Sequence, residues 1–276
     1  MIDYKNTATI IFAYNRPSHL KRVLVSLEDY GLKKFFIFLD GPKNNKDKVI
    51  QNEILYTVKN IKFAKVSLIK NNSNQGLAKS IFKGISYILN KYENVIVIED
   101  DCIPFKNFFS FVSNQLETEY FKKNCGAVCS YMFPEMSKSN SNKLYPLSLN
   151  YFIPWGWATN KDNWKNFLIM KKKKQIKYNS RTIYTKLINK INRRNIWTID
   201  FIYYNLKLSK KFIYPNFSLV KNIGFDGSGV NSKIDNSLRV VGNKSKNVKI
   251  SNNILINKRI QVKQEKILSR KIKLFY

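Results

Sequence analysis

Short runs of β-branched and aromatic residues alternate, over the first hundred positions, with stretches in which apolar residues recur three and four positions apart. Thr9 to Tyr14, Phe35 to Leu39, Lys65 to Ile69 and Val95 to Ile98 have the length and composition of strands. Between them, Leu20, Val23, Leu24 and Leu27 line one helical face until Gly31 stops it. A second helix is expected around Val49 to Val58, and Leu77, Ile81, Ile85, Ile88 and Leu89 line a third. This alternation predicts an α/β fold, with a mostly parallel sheet covered on both faces by right-handed crossovers. The loops leaving successive strands then converge on one edge, the edge at which such sheets bind ligands. They carry Asn15 and Arg16, Asp40 and Lys43, Asn74 and Gly76, and the acidic triplet Glu99, Asp100 and Asp101.

Beyond the triplet the regularity breaks. Phe105 to Tyr120 predicts a helix, Gly126 to Tyr131 a strand, and Ser137 to Lys143 a polar loop. The segment Phe152 to Trp164 is dense in aromatics, with Trp155 and Trp157 flanking Gly156. It fits plain core packing, and it fits equally an acceptor-side platform, because tryptophan faces hold sugar rings. Lys171 to Lys174 reads as a solvated basic run. A helix with Ile196, Trp197, Ile199, Ile202 and Leu206 carries Asp200 in its first turns. Phe212 to Val220 predicts a strand leading into the glycine-bearing loop N-I-G-F-D-G-S-G.

The triplet adds chemistry to this frame. Three adjacent carboxylates repel one another, so the strand end calls for a cation. Mg²⁺ or Mn²⁺ suits hard oxygen ligands beside phosphates; a solvated acidic turn before a helix starting at Pro104 is the bland alternative. The net charge of +31 points toward nucleic acid, an anionic membrane surface or polyanionic substrates. A bias toward Lys, Asn and Ile accounts for it equally well. Cys102, Cys125 and Cys129 form no metal-ligand spacing with the single histidine, His19, so a reduced, cytoplasmic protein is expected. No apolar run is long enough to span a bilayer, and any membrane contact is expected to be peripheral. Residues 231–276 hold twelve Lys or Arg against two acids, interspersed with Ile and Leu. They are expected to form a basic extension to a domain of residues 1–230, suited to an anionic leaflet.

The ordered set strand-N-R-P, strand-D-G-P, N-x-G-L, V-I-V-I-E-D-D, W-G-W, an Asp beside a Trp on a helix, and a glycine-bearing final loop resembles the GT-A-fold glycosyltransferases. It is more closely similar to bacterial family 2-like sugar transferases related to N-acetylglucosaminyltransferase I. The similarity covers Thr9 to Val230. It implies a Rossmann-like GT-A sheet and an inverting, metal-dependent enzyme. Such an enzyme moves a sugar from a nucleotide-sugar donor, with UDP expected, to a hydroxyl of a surface glycan such as lipopolysaccharide or capsule, or of a lipid-linked saccharide.

The resemblance also implies roles. Asp101 would bind Mn²⁺ or Mg²⁺ on the donor diphosphate, with Asp100 toward the ribose and Glu99 toward the sugar or a metal-bound water. Arg16 and Asn15 would meet the nucleotide, and Asp40 would accept from the base imide. Asn15 also fits a helix cap and Asp40 a simple turn. Lys79 and Lys83 are weaker phosphate candidates. In place of the family's W-D-D-W type helix start stands Trp197-Thr198-Ile199-Asp200-Phe201, which makes Asp200 the expected base, against a first-turn Asp favoured by the helix dipole. Relatives often carry a histidine in the final loop, where this chain offers Asp226, Ser228 and Asn231. A sugar nucleotidyltransferase is the alternative enzyme, but N-R-P-S is not its Gly-rich loop. A nucleic-acid-binding protein would leave the triplet unexplained, so no nucleic acid partner is expected.

Overall fold

The computed structural model describes residues 6–137, 142–173, 197–228 and 248–275. Part of the Ser137 to Lys143 loop, Lys174, Ile196 and Asn231 lie outside them.

The four expected strands form as β1 (Thr7–Ala13), β2 (Lys34–Leu39), β3 (Lys65–Lys70) and β4 (Asn94–Glu99). All four are parallel, in the spatial order β3-β2-β1-β4. Their connections are α1 (Pro17–Leu27), α2 (Asn45–Lys59) and α3 (Leu77–Leu89). Pro17 at the first helical position of α1 suits its fixed φ and missing N–H. Asn44 caps α2 by accepting from Asp47 N, at 2.9 Å. Val95 to Ile98 have no exposed surface, which explains their unbroken apolar run. Burying each such side chain contributes about 1.5–3 kcal/mol.

Expectation and structure part after β4. The expected helix Phe105 to Tyr120 is two, α4 (Phe108–Glu117) and α5 (Glu119–Asn124), because Thr118 is extended and its hydroxyl caps the second. Strand β6 (Cys125–Cys129) forms as expected. From the aromatic segment come β9 (Trp157–Asn160) and α6 (Lys161–Lys172), with β9 antiparallel between β4 and β6. Helix α7 (Trp197–Lys207) leads to β10 (Lys211–Pro215), parallel to β6. Among the described residues the main sheet has eight strands, ordered β3-β2-β1-β4-β9-β6-β10-β8, with β8 at Pro146–Leu149. Its order turns back between β1 and β4, so a crevice opens there at the carboxyl ends of the strands.

The rest of the expected Phe212 to Val220 strand leaves the sheet. It ends in β11 (Val220–Asn222), which pairs antiparallel with β5 (Cys102–Pro104) directly after the acids. The described part of residues 231–276 packs back on the domain. Strand β12 (Lys249–Ile250) pairs with β7 (Lys143–Leu144), and α8 (Lys258–Phe275) buries Gln264, Ile267 and Leu268. Val248, Ile267 and Leu268 belong to the same hydrophobic core as the sheet.

Candidate active site

At the turning point of the sheet, Arg16 follows β1 and the acids end β4. The Arg16 guanidinium bridges both aspartates, pairing with Asp100 Oδ1 and lying 2.8 Å from Asp101 Oδ2. This is the cation that three adjacent acids demand. Burial disfavours the guanidinium charge, but Asp100 and Asp101 outweigh that and hold it protonated. The Glu99 carboxyl is pushed above the usual range, first by burial and then by Asp101 and Asp100, with Arg16 opposing. Asp100 is raised too, chiefly by burial, against the pull of Arg16.

A carboxyl raised on folding binds more protons folded than unfolded, so its share of stability falls as pH rises above the ordinary carboxylate range. Glu99→Gln is therefore expected to stabilise the metal-free protein more at pH 8 than at pH 5, as read by urea unfolding with chelator present. An equal effect at both pH values would contradict the burial account.

The neighbouring loops are tied among themselves. Asp40 is buried and accepts from Gly41 N (2.9 Å), Asn71 Nδ2 (3.1 Å), Asn74 Nδ2 (3.0 Å), Gln75 N (2.9 Å) and Gly76 N (3.0 Å). A carboxylate offers about four lone-pair sites, and these are spent. The expected imide contact from Asp40 is corrected accordingly: Asp40, Asn74 and Gly76 form one structural knot that shapes the loop before α3. Gly41 is required in it, since a Cβ there would lie 2.2 Å from the Ser73 carbonyl carbon. Asn15 Nδ2 donates to Asp47 Oδ1 at 3.0 Å, and Tyr14 Oη donates to the same carboxylate. The signal for Asp47 in the sequence is the helix-cap pattern N-x-x-D starting at Asn44. Lys79 is exposed on the first turn of α3, and Lys83 Nζ lies 3.3 Å from Gln75 Oε1.

Strand β9 descends antiparallel to β4, so α6 climbs back and ends, at Lys171 and Lys172, on the edge that carries the acids. Helix α7 starts on that edge. Asp200 in its first turn pairs with Lys171, whose ammonium also lies 5.4 Å from the Phe82 ring centre. Lys171 is thus an ion-pair partner, which corrects its reading as solvated surface.

The sequence profile of glycosyl transferase family 2 matches residues 9–186. The chain belongs to this family. An uncharacterised protein of Methanocaldococcus jannaschii is 35% identical over 99 residues, which are 33% of this chain and 38% of that one. A Pyrobaculum calidifontis mannosyltransferase, solved with GDP-Man and Mn²⁺, aligns at TM-score 0.48 and 10% identity, covering 76% of this chain and 54% of its own. Mouse xyloside xylosyltransferase 1 aligns at 0.42 and 10% identity, covering 75% and 84%. The chain therefore spans well under two thirds of the first two relatives, and at such scores the structural likenesses carry no weight beside the family match. The match is to family 2 as a whole and does not single out the N-acetylglucosaminyltransferase I branch.

In this family 2 chain the α/β sheet has the GT-A arrangement, and the tryptophans are corrected to core residues. Trp157 has no exposed surface and packs against Phe152, Trp164 and Trp197. Gly156 is buried against Phe108, and Trp155 packs between Tyr131 and Phe225. None of the three offers a face to a sugar ring.

The final loop closes the site. Ile223 N donates to the Asp101 carbonyl at 2.8 Å, and a Cβ on Gly224 would lie 2.2 Å from Asp101 Oδ2 and 3.0 Å from Arg16 Nη1. No group of three or more His, Cys, Asp or Glu able to hold a metal occurs among the described residues. Asp101 and Asp100 at the strand end are the type of donor that Mg²⁺ and Mn²⁺ take, one or two carboxylates completed by substrate phosphates and water.

Proposed function

We propose that this chain is an inverting glycosyltransferase that uses a nucleotide-sugar donor and a divalent metal. The observation that carries the reading is the Arg16–Asp100–Asp101 cluster at the turning point of a parallel sheet, in a member of glycosyl transferase family 2. Asp101 would hold Mn²⁺ or Mg²⁺, with Asp100 beside it. Such an ion neutralises the diphosphate and the charge that develops on the leaving group. Arg16 anchors both aspartates and presents positive charge to the donor phosphates. Asp200 accepts the proton of the acceptor hydroxyl as its oxygen bonds to the anomeric carbon and the bond to the nucleoside diphosphate breaks. Glu99 would lie toward the sugar or a metal-bound water. Since Asp40 is spent within its loop, the preference for UDP loses its residue and the base is left open. The acceptor is a saccharide hydroxyl, in keeping with surface-glycan or lipid-linked substrates. Release of nucleoside diphosphate that requires both Mn²⁺ and an added saccharide tests the reading; release indifferent to both would oppose it.

No helix among the described residues is long and apolar enough to cross a membrane. Peripheral adsorption rests on α8, whose Lys258, Arg259 and Arg270 are exposed beside Val262, 49% exposed. Ile260, Ile267 and Leu268 of this helix are used in packing, so the attraction rests on its basic residues, about 1 kcal/mol for each near an anionic surface. Lys258→Glu, Arg259→Glu and Arg270→Glu together are expected to cut sedimentation with phosphatidylserine vesicles at low salt at least tenfold. Equal pelleting of the variant and the parent would assign the charge to composition.

A further inference from the structure

The single histidine of the chain finds a partner far along the sequence. His19 is buried on the first turn of α1, three residues after Arg16, and its Nε2 lies 3.0 Å from Asp226 Oδ2 in the final loop. Arg16 is the N-cap residue of α1, so the start of this helix grips the acid cluster through Arg16 and the final loop through His19. Asp226 is shaped for this contact: its Oδ1 accepts from Ser228 N (3.0 Å) and Ser228 Oγ (2.6 Å), which leaves Oδ2 to His19. These bonds, with His19, hold its carboxyl down at about 2. Elsewhere the loop is fastened to the acidic side, by Ile223 N on the Asp101 carbonyl and by Phe225 against Trp155, 5.2 Å between ring centres. The connections close a circuit from Asp101 through Arg16, α1, His19 and Asp226 back to Gly224, which lies against Asp101.

We propose that His19 and Asp226 are positioning residues, a latch between the first helix and the last loop that holds residues 222–228 in register over Asp101 and Arg16. The proposal rests on the reading of that cluster as the donor site. The buried half of the latch sits on the helix and the more exposed half, Asp226 at 45% side-chain exposure, on the loop. The contact can therefore open by movement of the loop without unpacking the core. A loop fixed in advance spares the donor the cost of ordering it, so the latch is expected to act on donor affinity rather than on the chemical step.

The test compares the full chain with His19→Phe, Asp226→Ala, the double variant, and His19→Gln, whose amide reaches as far as the ring Nε2. Amide exchange of residues 223–228 is measured without ligand, and donor KM and kcat with a nucleotide sugar and Mn²⁺. Exchange about tenfold faster in His19→Phe and in Asp226→Ala, donor KM about tenfold higher at unchanged kcat, a double variant no worse than either single one, and recovery in His19→Gln are the results expected. Unchanged exchange, additive effects, or faster exchange with unaltered KM would each overturn the latch. If the parent binds no nucleotide sugar at all, the donor reading fails, while the ligand-free exchange still decides whether the latch holds the loop.

Discussion

Asp101→Asn is expected to lower sugar transfer about a thousandfold while leaving the fold intact. Asparagine keeps the shape beside Cys102 and removes the charge that would hold a divalent ion. Lewis-acid stabilisation of a leaving diphosphate is worth several kcal/mol, and each 1.4 kcal/mol is about tenfold in rate. Arg16 keeps Asp100 as a counter-charge, so the buried guanidinium is not orphaned, and the loss of stability should stay well below the 3–5 kcal/mol typical of a broken buried pair. Turnover and unfolding midpoint, measured together, separate the two effects. Transfer within tenfold of the parent would move the metal elsewhere.

The second large effect is expected at Asp200→Asn. Transfer should fall by about 10²–10⁴, the usual contribution of a positioned base, with donor affinity unchanged. The side chain is 18% exposed and its Lys171 partner 37%, so the ammonium that loses its partner retains water. Donor binding by calorimetry and turnover at saturating donor check the split. Undiminished turnover would pass the role of base to Glu99.

Much of the frame was legible because β1, β2 and β4 are buried on both faces and the helices between them on one, which writes strand and helix periods directly into the sequence. The reversal at β9 was not. Four residues of W-A-T-N carry too little pattern to declare a strand, and Trp157 announces bulk without saying whether it faces core or substrate. The same limit applies to the site. A run of acids at a strand end shows that a cation is needed, but its supplier, Arg16, stands 84 residues from Asp100, and only the adjacency of β1 and β4 brings them together. Asp40 misled for a related reason. Its position at a strand end is that of a ligand-binding acid, whereas its partners Asn71, Asn74, Gln75 and Gly76 come from the next loop and consume it. The contact between His19 and Asp226 is not legible in the sequence, because a meeting of the first helix with the last loop leaves no local signal.

Thermal shift decides whether the acid cluster between β1 and β4 is a metal-assisted nucleotide-sugar site. The parent protein and Asp101→Asn are each titrated with UDP-, dTDP- and GDP-sugars, in Mn²⁺ and in chelator. At least one of these donors is expected to raise the Tm of the parent in Mn²⁺ alone and to leave Asp101→Asn unmoved. No shift with any donor, or the same shift in both proteins, would contradict that assignment.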